Sequence, residues 1–175
     1  LIHIRPAAPS DLAAIDVLLD AGFGPARRNR TAYRLRDKAE PLPALSFVAS
    51  FISHDDKALI GSLQCWPIGL RAVSGIVLPL VLLGPVVTAA DRQGQGVATR
   101  LMQAALAAAD ANGAPPILLI GDAPFYGRFS FSSAATGGWQ MPGPVDRARL
   151  LLRGDASALP ATGWVEARDG VRRAA

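Results

Sequence analysis

Cysteine is almost missing from this chain. Cys65 stands alone, so neither an internal disulfide nor a cysteine metal site is available to it. Histidine is nearly as scarce, and His3 and His54 are too far apart to give a metal-ligand spacing, so no metal is expected. All three residues read as structural or surface positions. No run of about 18 uncharged apolar residues occurs; the richest stretch, residues 76–87, is interrupted by Pro79, Gly84 and Pro85. The apolar residues near the amino end are broken by Arg5 and Asp11, which is not a signal-peptide pattern. These absences lead to the expectation of a soluble, cytoplasmic protein with no membrane partner.

Strong charge is also lacking, since the formal net charge is +4. The basic residues that do gather are Arg27, Arg28, Arg30, Arg34, Arg36 and Lys38, with Arg172-Arg173 in the tail. They show no aromatic pattern suited to base stacking, so nucleic acid is not expected as a partner. Their first reading is a solvated helix face, and their second is attraction of phosphate groups. At 175 residues and 50% hydrophobic content the chain is long enough for one buried core, and residues 1–175 are expected to form a single domain.

What the chain does have is an ordered series of apolar segments. Ile2-His3-Ile4-Arg5 alternates as a half-buried strand does, and prolines follow it. Leu12, Ile15, Leu18 and Leu19 recur at helical spacing until Gly22 to Pro25 stop the helix. A second helix is predicted over residues 26–38. Residues 45–53 and 58–68 read as two strands of a hairpin turning through Ser53-His54-Asp55-Asp56-Lys57. A third strand follows over 76–88. The alanine-rich stretch 97–112 is a strong helix former, with Leu101, Ala105, Ala109 and Met102, Leu106 on adjoining faces and Asn112-Gly113 as a stop. Ile117-Leu118-Leu119-Ile120 then reads as a central buried strand. Beyond Phe129 glycine and proline are frequent, and only residues 147–152 look like a further strand.

The most informative stretch is Gln93-Gly94-Gln95-Gly96-Val97-Ala98, between the third strand and the alanine-rich helix. A helix beginning here leaves its first backbone N–H groups unpaired and points its positive dipole end outward, so phosphate oxygens could be held without a basic side chain. A Rossmann fingerprint fails because Thr99 stands where the third glycine belongs, and no acid follows at the ribose position. A P-loop fails for want of Gly-Lys-Ser/Thr. A glycine turn with only a conformational role remains as the plain alternative.

The spelling Gln-x-x-Gly-x-Ala resembles the pyrophosphate loop of the GNAT superfamily of acyl-CoA-dependent N-acetyltransferases. A second segment, Phe125-Tyr126-Gly127-Arg128-Phe129-Ser130-Phe131, resembles the part of that superfamily in which a short helix bearing Tyr follows a strand. With the preceding Gly121-Asp122, it is most similar to small bacterial acetyltransferases carrying Gly-Asp-x-x-Phe/Tyr-Tyr-x-Arg-Phe. The departures are Ala90 in place of a proline before the loop, Ser130 in place of a glycine, and Leu119 where many members have asparagine.

The resemblance implies an α/β fold, with a mixed, mostly antiparallel central sheet and a parallel strand-helix-strand unit at the cofactor site. It implies acetyl-CoA as acyl-donor cosubstrate and a small-molecule or peptide amine as acceptor, and it leaves a homodimer open. Backbone groups of Val86, Val87 and Thr88 are assigned to the pantetheine arm and thioester. Gly94, Gln95, Gly96, Val97, Ala98 and Thr99 are assigned to the pyrophosphate, with Gln93 shaping the entry. Tyr126 is assigned as general acid, since a phenol of ordinary pKa about 10 is protonated at neutral pH and a thiolate of pKa about 8.5 needs a proton. For a base, spacing offers only Glu40, Asp55, Asp56 and Asp122, each also readable as a solvated charge or cap. The competing expectation is a CoA-binding sensor or interaction module without turnover.

Overall fold

The computed structural model describes residues 1–51 and 58–168. His54, Asp55 and Asp56, the predicted hairpin turn that holds them, and Arg172-Arg173 lie outside the described residues. The elements are β1 (Ile2–Pro6), α1 (Leu12–Phe23), α2 (Thr31–Arg34), β2 (Phe47–Phe51), β3 (Leu59–Arg71), β4 (Val77–Thr88), α3 (Val97–Ala111), β5 (Ile117–Ile120), α4 (Ala123–Tyr126), β6 (Gly138–Gln140), β7 (Leu150–Arg153) and β8 (Thr162–Ala167). The strands join in the order β1-β2-β3-β4-β5-β7, with β8 paired to β3 and β6 to β8. Pairing is antiparallel for β1 with β2, β2 with β3, β3 with β8 and β5 with β7. It is parallel between β4 and β5, where Val81 faces Ile117, and between β6 and β8. The sheet is therefore the mixed, mostly antiparallel one expected, and β4-α3-β5 is its parallel crossover unit. No helix among the described residues is long and apolar enough to cross a membrane.

Two compact units are built from these elements. The first comprises Leu1–Arg28, Pro41–Cys65 and Gly84–Ala114. Its apolar cluster sets Ile15 and Leu19 of α1 against Val48 of β2 and Val87 of β4. On α3, Val97, Leu101, Met102, Ala105, Leu106 and Ala109 are buried, the stripe that a 3.6-residue period lays along one side of a helix. Each fully buried leucine contributes about 2 kcal/mol. Cys65 is buried, its thiol pushed up to about 12 by that burial, and its N–H donates to Ser46 Oγ at 3.0 Å. It is a packing residue.

The second unit comprises Asn29–Glu40, Trp66–Leu83 and Pro115–Ala175. Its core gathers Trp66, Ile68, Leu80, Leu82, Leu118, Trp139, Leu150 and Val165 among others. Trp139 is fully buried, and its indole N–H donates to Pro160 O at 2.9 Å.

Two expectations are corrected. The predicted helix over 26–38 is a 3-10 turn at Pro25–Asn29, an extended Arg30 (ψ 150°) and only the four-residue α2. The reason lies in tertiary bonds that outweigh helical propensity. Arg27 is only 2% exposed and bonds Asp16 and Asp20 of α1 at 2.7 Å each, so it belongs to no solvated face. Thr31 Oγ1 donates to Pro144 O at 2.6 Å, which fixes α2 where it starts. The second correction concerns the region after Phe129, where β6 and β8 join β7 although only one strand is predicted.

Candidate active site

In the first unit, β4 ends with Val86, Val87 and Thr88, and Val87 turns its side chain into the apolar cluster with α1. The next residue, Ala89, donates its N–H to Ile60 O at 2.8 Å. A 3-10 turn, Ala90–Arg92, and an extended Gln93 then carry the chain to Gly94. Gly94 has φ +76° and Gly96 has φ +79°, the left-handed region in which glycine replaces other residues without strain. Gly96 is the N-cap of α3, and its carbonyl accepts the Arg100 N–H at 3.1 Å.

The N–H groups of Gly94, Gly96, Val97, Ala98 and Thr99 have no hydrogen-bond acceptor among the described residues. Residues 93–96 are exposed, and the first turn of α3 carries no acid that would fill its positive end. Gln95 braces the loop through its own Nε2, which donates to Asp91 O at 3.3 Å. Exposed glycines, free N–H groups and the positive end of a 15-residue helix dipole leave at this turn a set of donors that could hold an anion. The site residues read from the loop and the end of β4 thus stand on one continuous segment of the chain.

In the second unit, Tyr126 closes α4, which follows β5 directly through Gly121 and the exposed N-cap Asp122. Its ring meets Phe125 edge-on at 4.9 Å and Phe131 at 6.1 Å. Burial raises the phenol above its ordinary pKa; Arg149 opposes the shift and Asp122 adds to it. The hydroxyl has no hydrogen-bond partner among the described residues, so a proton donor remains uncommitted there. Asp122 caps α4 without a side-chain hydrogen bond.

Sequence reasoning missed two features. Gly121 matters because the Tyr126 ring covers its α-carbon, and Arg149 because its charge acts on the phenol. The glycine before Asp122 was visible in the motif, but nothing in the order of residues reveals what lies over it.

Residues 3–134 match the family described as Acetyltransferase (GNAT) domain. Among solved structures, the GNAT family N-acetyltransferase YhbS from Escherichia coli, in complex with CoA, is 26% identical, with 95% of this chain and 89% of that one covered and a TM-score of 0.73. A GNAT family acetyltransferase from Brucella melitensis, in complex with acetyl-CoA, is also 26% identical, covering 96% of each chain at a TM-score of 0.67. Arabidopsis thaliana Naa50 shares the fold at 13% identity and a TM-score of 0.57, over 88% of this chain and 99% of that one. Comparison with curated protein sequences gives no match. The chain belongs to the GNAT acetyltransferase family.

Proposed function

We propose that this protein is an acetyl-CoA-dependent N-acetyltransferase that moves an acetyl group to a primary amine by direct attack on the thioester. The observation that carries the reading is the loop of residues 93–99, where the free N–H groups of Gly94, Gly96, Val97, Ala98 and Thr99 and the left-handed glycines fit a pyrophosphate that needs no basic side chain, the Gln95 N–H alone being held by Arg92 O at 3.4 Å. The E. coli and B. melitensis relatives, described with CoA and acetyl-CoA, support the same cosubstrate here.

In this reading Gly94, Gln95, Gly96, Val97, Ala98 and Thr99 hold the pyrophosphate, and Gln93 sets the entry of the loop. Backbone groups of Val86, Val87 and Thr88 hold the pantetheine arm, and one N–H among them polarises the carbonyl, a contribution of about 3 kcal/mol for such a donor. Acetyl-CoA supplies an activated acyl group. Tyr126 gives its phenolic proton to the sulfur as the carbon–sulfur bond breaks, which its raised pKa permits across the neutral range. The acceptor is a small-molecule or peptide amine that arrives as the free base.

Thermal unfolding with cosubstrate tests the reading. At a hundredfold excess over its dissociation constant acetyl-CoA adds about 2.7 kcal/mol, a melting rise of about 5–10 °C for a domain of this size. NAD and ATP are expected to give much less, and an equal rise with NAD would show that the loop does not select CoA. Thiol release across a panel of amines, amino acids and peptides separates an enzyme from a CoA-binding module without turnover.

A further inference from the structure

Resting on the N-acetyltransferase reading, we infer that Ser62 and Gln64, on one face of β3, receive the amino group of the acceptor. β3 neighbours β4 in the sheet, and Ile60 O accepts the Ala89 N–H at 2.8 Å. A β-carbon on Gly61 would stand 3.0 Å from Val87 O. The start of β3 therefore runs beside the end of β4, the segment assigned to the thioester.

Alternation along a strand places residues 62 and 64 on the same face. Ser62 pairs in register with Val48, so that face is the one packed with Ile15, Leu19 and Val87. Ser62 is 0% exposed and Gln64 is 4% exposed. Ser62 Oγ and Gln64 Oε1 are buried with no hydrogen-bond partner among the described residues. Ser46, which is buried too, shows the ordinary solution, because its Oγ accepts the Cys65 N–H.

A buried oxygen without a donor lowers stability, and an apolar side chain of similar size would serve the fold better. Ile60, Leu63, Cys65, Trp66, Ile68 and Leu70 of the same strand follow that rule. Two departures from it, side by side on the strand next to the reacting segment, call for donors that come with a ligand. A primary amine has two N–H groups and a lone pair. With the N–H groups donated to Gln64 Oε1 and Ser62 Oγ, the lone pair is left for the carbonyl carbon.

The new C–N bond forms from that lone pair. The C–S bond breaks toward sulfur, which takes a proton, and the surplus proton of the nitrogen leaves to solvent. Amine and thioester become amide and thiol. Neither β3 nor β4 carries a carboxylate, so neutral acceptors on β3 take the positioning task that spacing could not assign to an acid.

Ser62→Ala and Gln64→Met, alone and together, test this with acetyl-CoA and four probes: n-propylamine, glycinamide, spermidine and an Ala-Lys-Ala tripeptide. The ligand-free Gln64→Met variant is expected to melt about 2–4 °C higher than the parent, because an unmet polar group is removed. Its melting rise with acetyl-CoA stays that of the parent. For any probe the parent acetylates, the amine KM rises tenfold or more while the acetyl-CoA KM holds. An unchanged amine KM overturns the proposal, as does a lower melting point in both single variants. Acetyl-CoA binding by the parent with no probe acetylated overturns it too, while leaving the cosubstrate assignment standing. A parent that does not bind acetyl-CoA ends both.

Discussion

The ring of Tyr126 lies directly over the α-carbon of Gly121: a β-carbon at that position would stand 2.7 Å from the tyrosine Cδ2 and 3.1 Å from Leu119 Cδ1. The absence of a side chain at Gly121 is thus what seats the ring. Gly121→Ala is expected to push Tyr126 aside at a cost of about 1–3 kcal/mol, read as a melting point about 3–10 °C lower. Turnover is expected to fall with it, while the melting rise given by acetyl-CoA is kept.

Tyr126→Phe removes the hydroxyl and keeps the ring contacts with Phe125 and Phe131. Cofactor affinity is expected to stay and turnover to drop at least tenfold, with about a hundredfold as the usual worth of a general acid. The donor must be protonated to act. Since burial raises the phenol's pKa, parent activity should show no loss from this group until the pH passes about 10, the ordinary tyrosine value. Steady-state rates from pH 6 to 10 with a working amine measure both effects, and equal rates for parent and variant throughout would make Tyr126 a packing residue only.

At Gly96 the backbone conformation decides the choice of variant. A φ of +79° makes any β-branched residue strained there, so folding and binding would be lost together. Asparagine tolerates the left-handed region, and no atom lies within 4 Å of a β-carbon placed on Gly96. Gly96→Asn is therefore expected to melt within a few degrees of the parent, about 1 kcal/mol less stable. Its rise with acetyl-CoA should shrink to less than half, because the new side chain stands where the phosphates approach. A full rise in calorimetry or dye-based melting would remove this loop from cofactor binding.

Asp11 gives a stability prediction independent of the site. Arg5 holds its carboxylate with two bonds, at 2.7 and 2.8 Å, and Ala8 N–H donates a third at 2.8 Å. The Arg5 hydrogen bonds are the main cause that lowers its pKa; burial opposes them, and the Ala8 N–H and the Arg5 charge add to them. A lowered folded-state pKa means that the stabilisation is present above the unfolded value, about 3.9, and fades as the pH falls through the folded one. Asp11→Asn should accordingly melt lower than the parent at pH 7, and the gap should narrow toward pH 2. A constant gap from pH 7 to 2 would mean that the charge of Asp11 contributes nothing.

The sequence by itself determined the elements whose signal is local. Alanines and a regular apolar stripe define α3 over Val97–Ala111, and apolar runs bounded by turn residues define β4 and β5. The backbone geometry of the loop was legible for the same reason: glycine conformation and unpaired helix N–H groups are properties of neighbouring residues. Only the tertiary structure decided the rest. β6 and β8 are held by pairing residues far apart in sequence, Gln140 with Trp164 and Arg71 with Trp164. Gly163, which reads locally as a loop residue, sits in β8, where β3 comes so close that a β-carbon would lie 2.6 Å from Arg71 O. Arg27 looks solvated until Asp16 and Asp20 of α1 are brought to it. The unmet oxygens of Ser62 and Gln64 are visible only once burial and partners are known. Conformational preference and helix ends act within a few residues, so sequence reports them; burial, hydrogen-bond satisfaction and non-local pairing depend on what the folded chain places around each group.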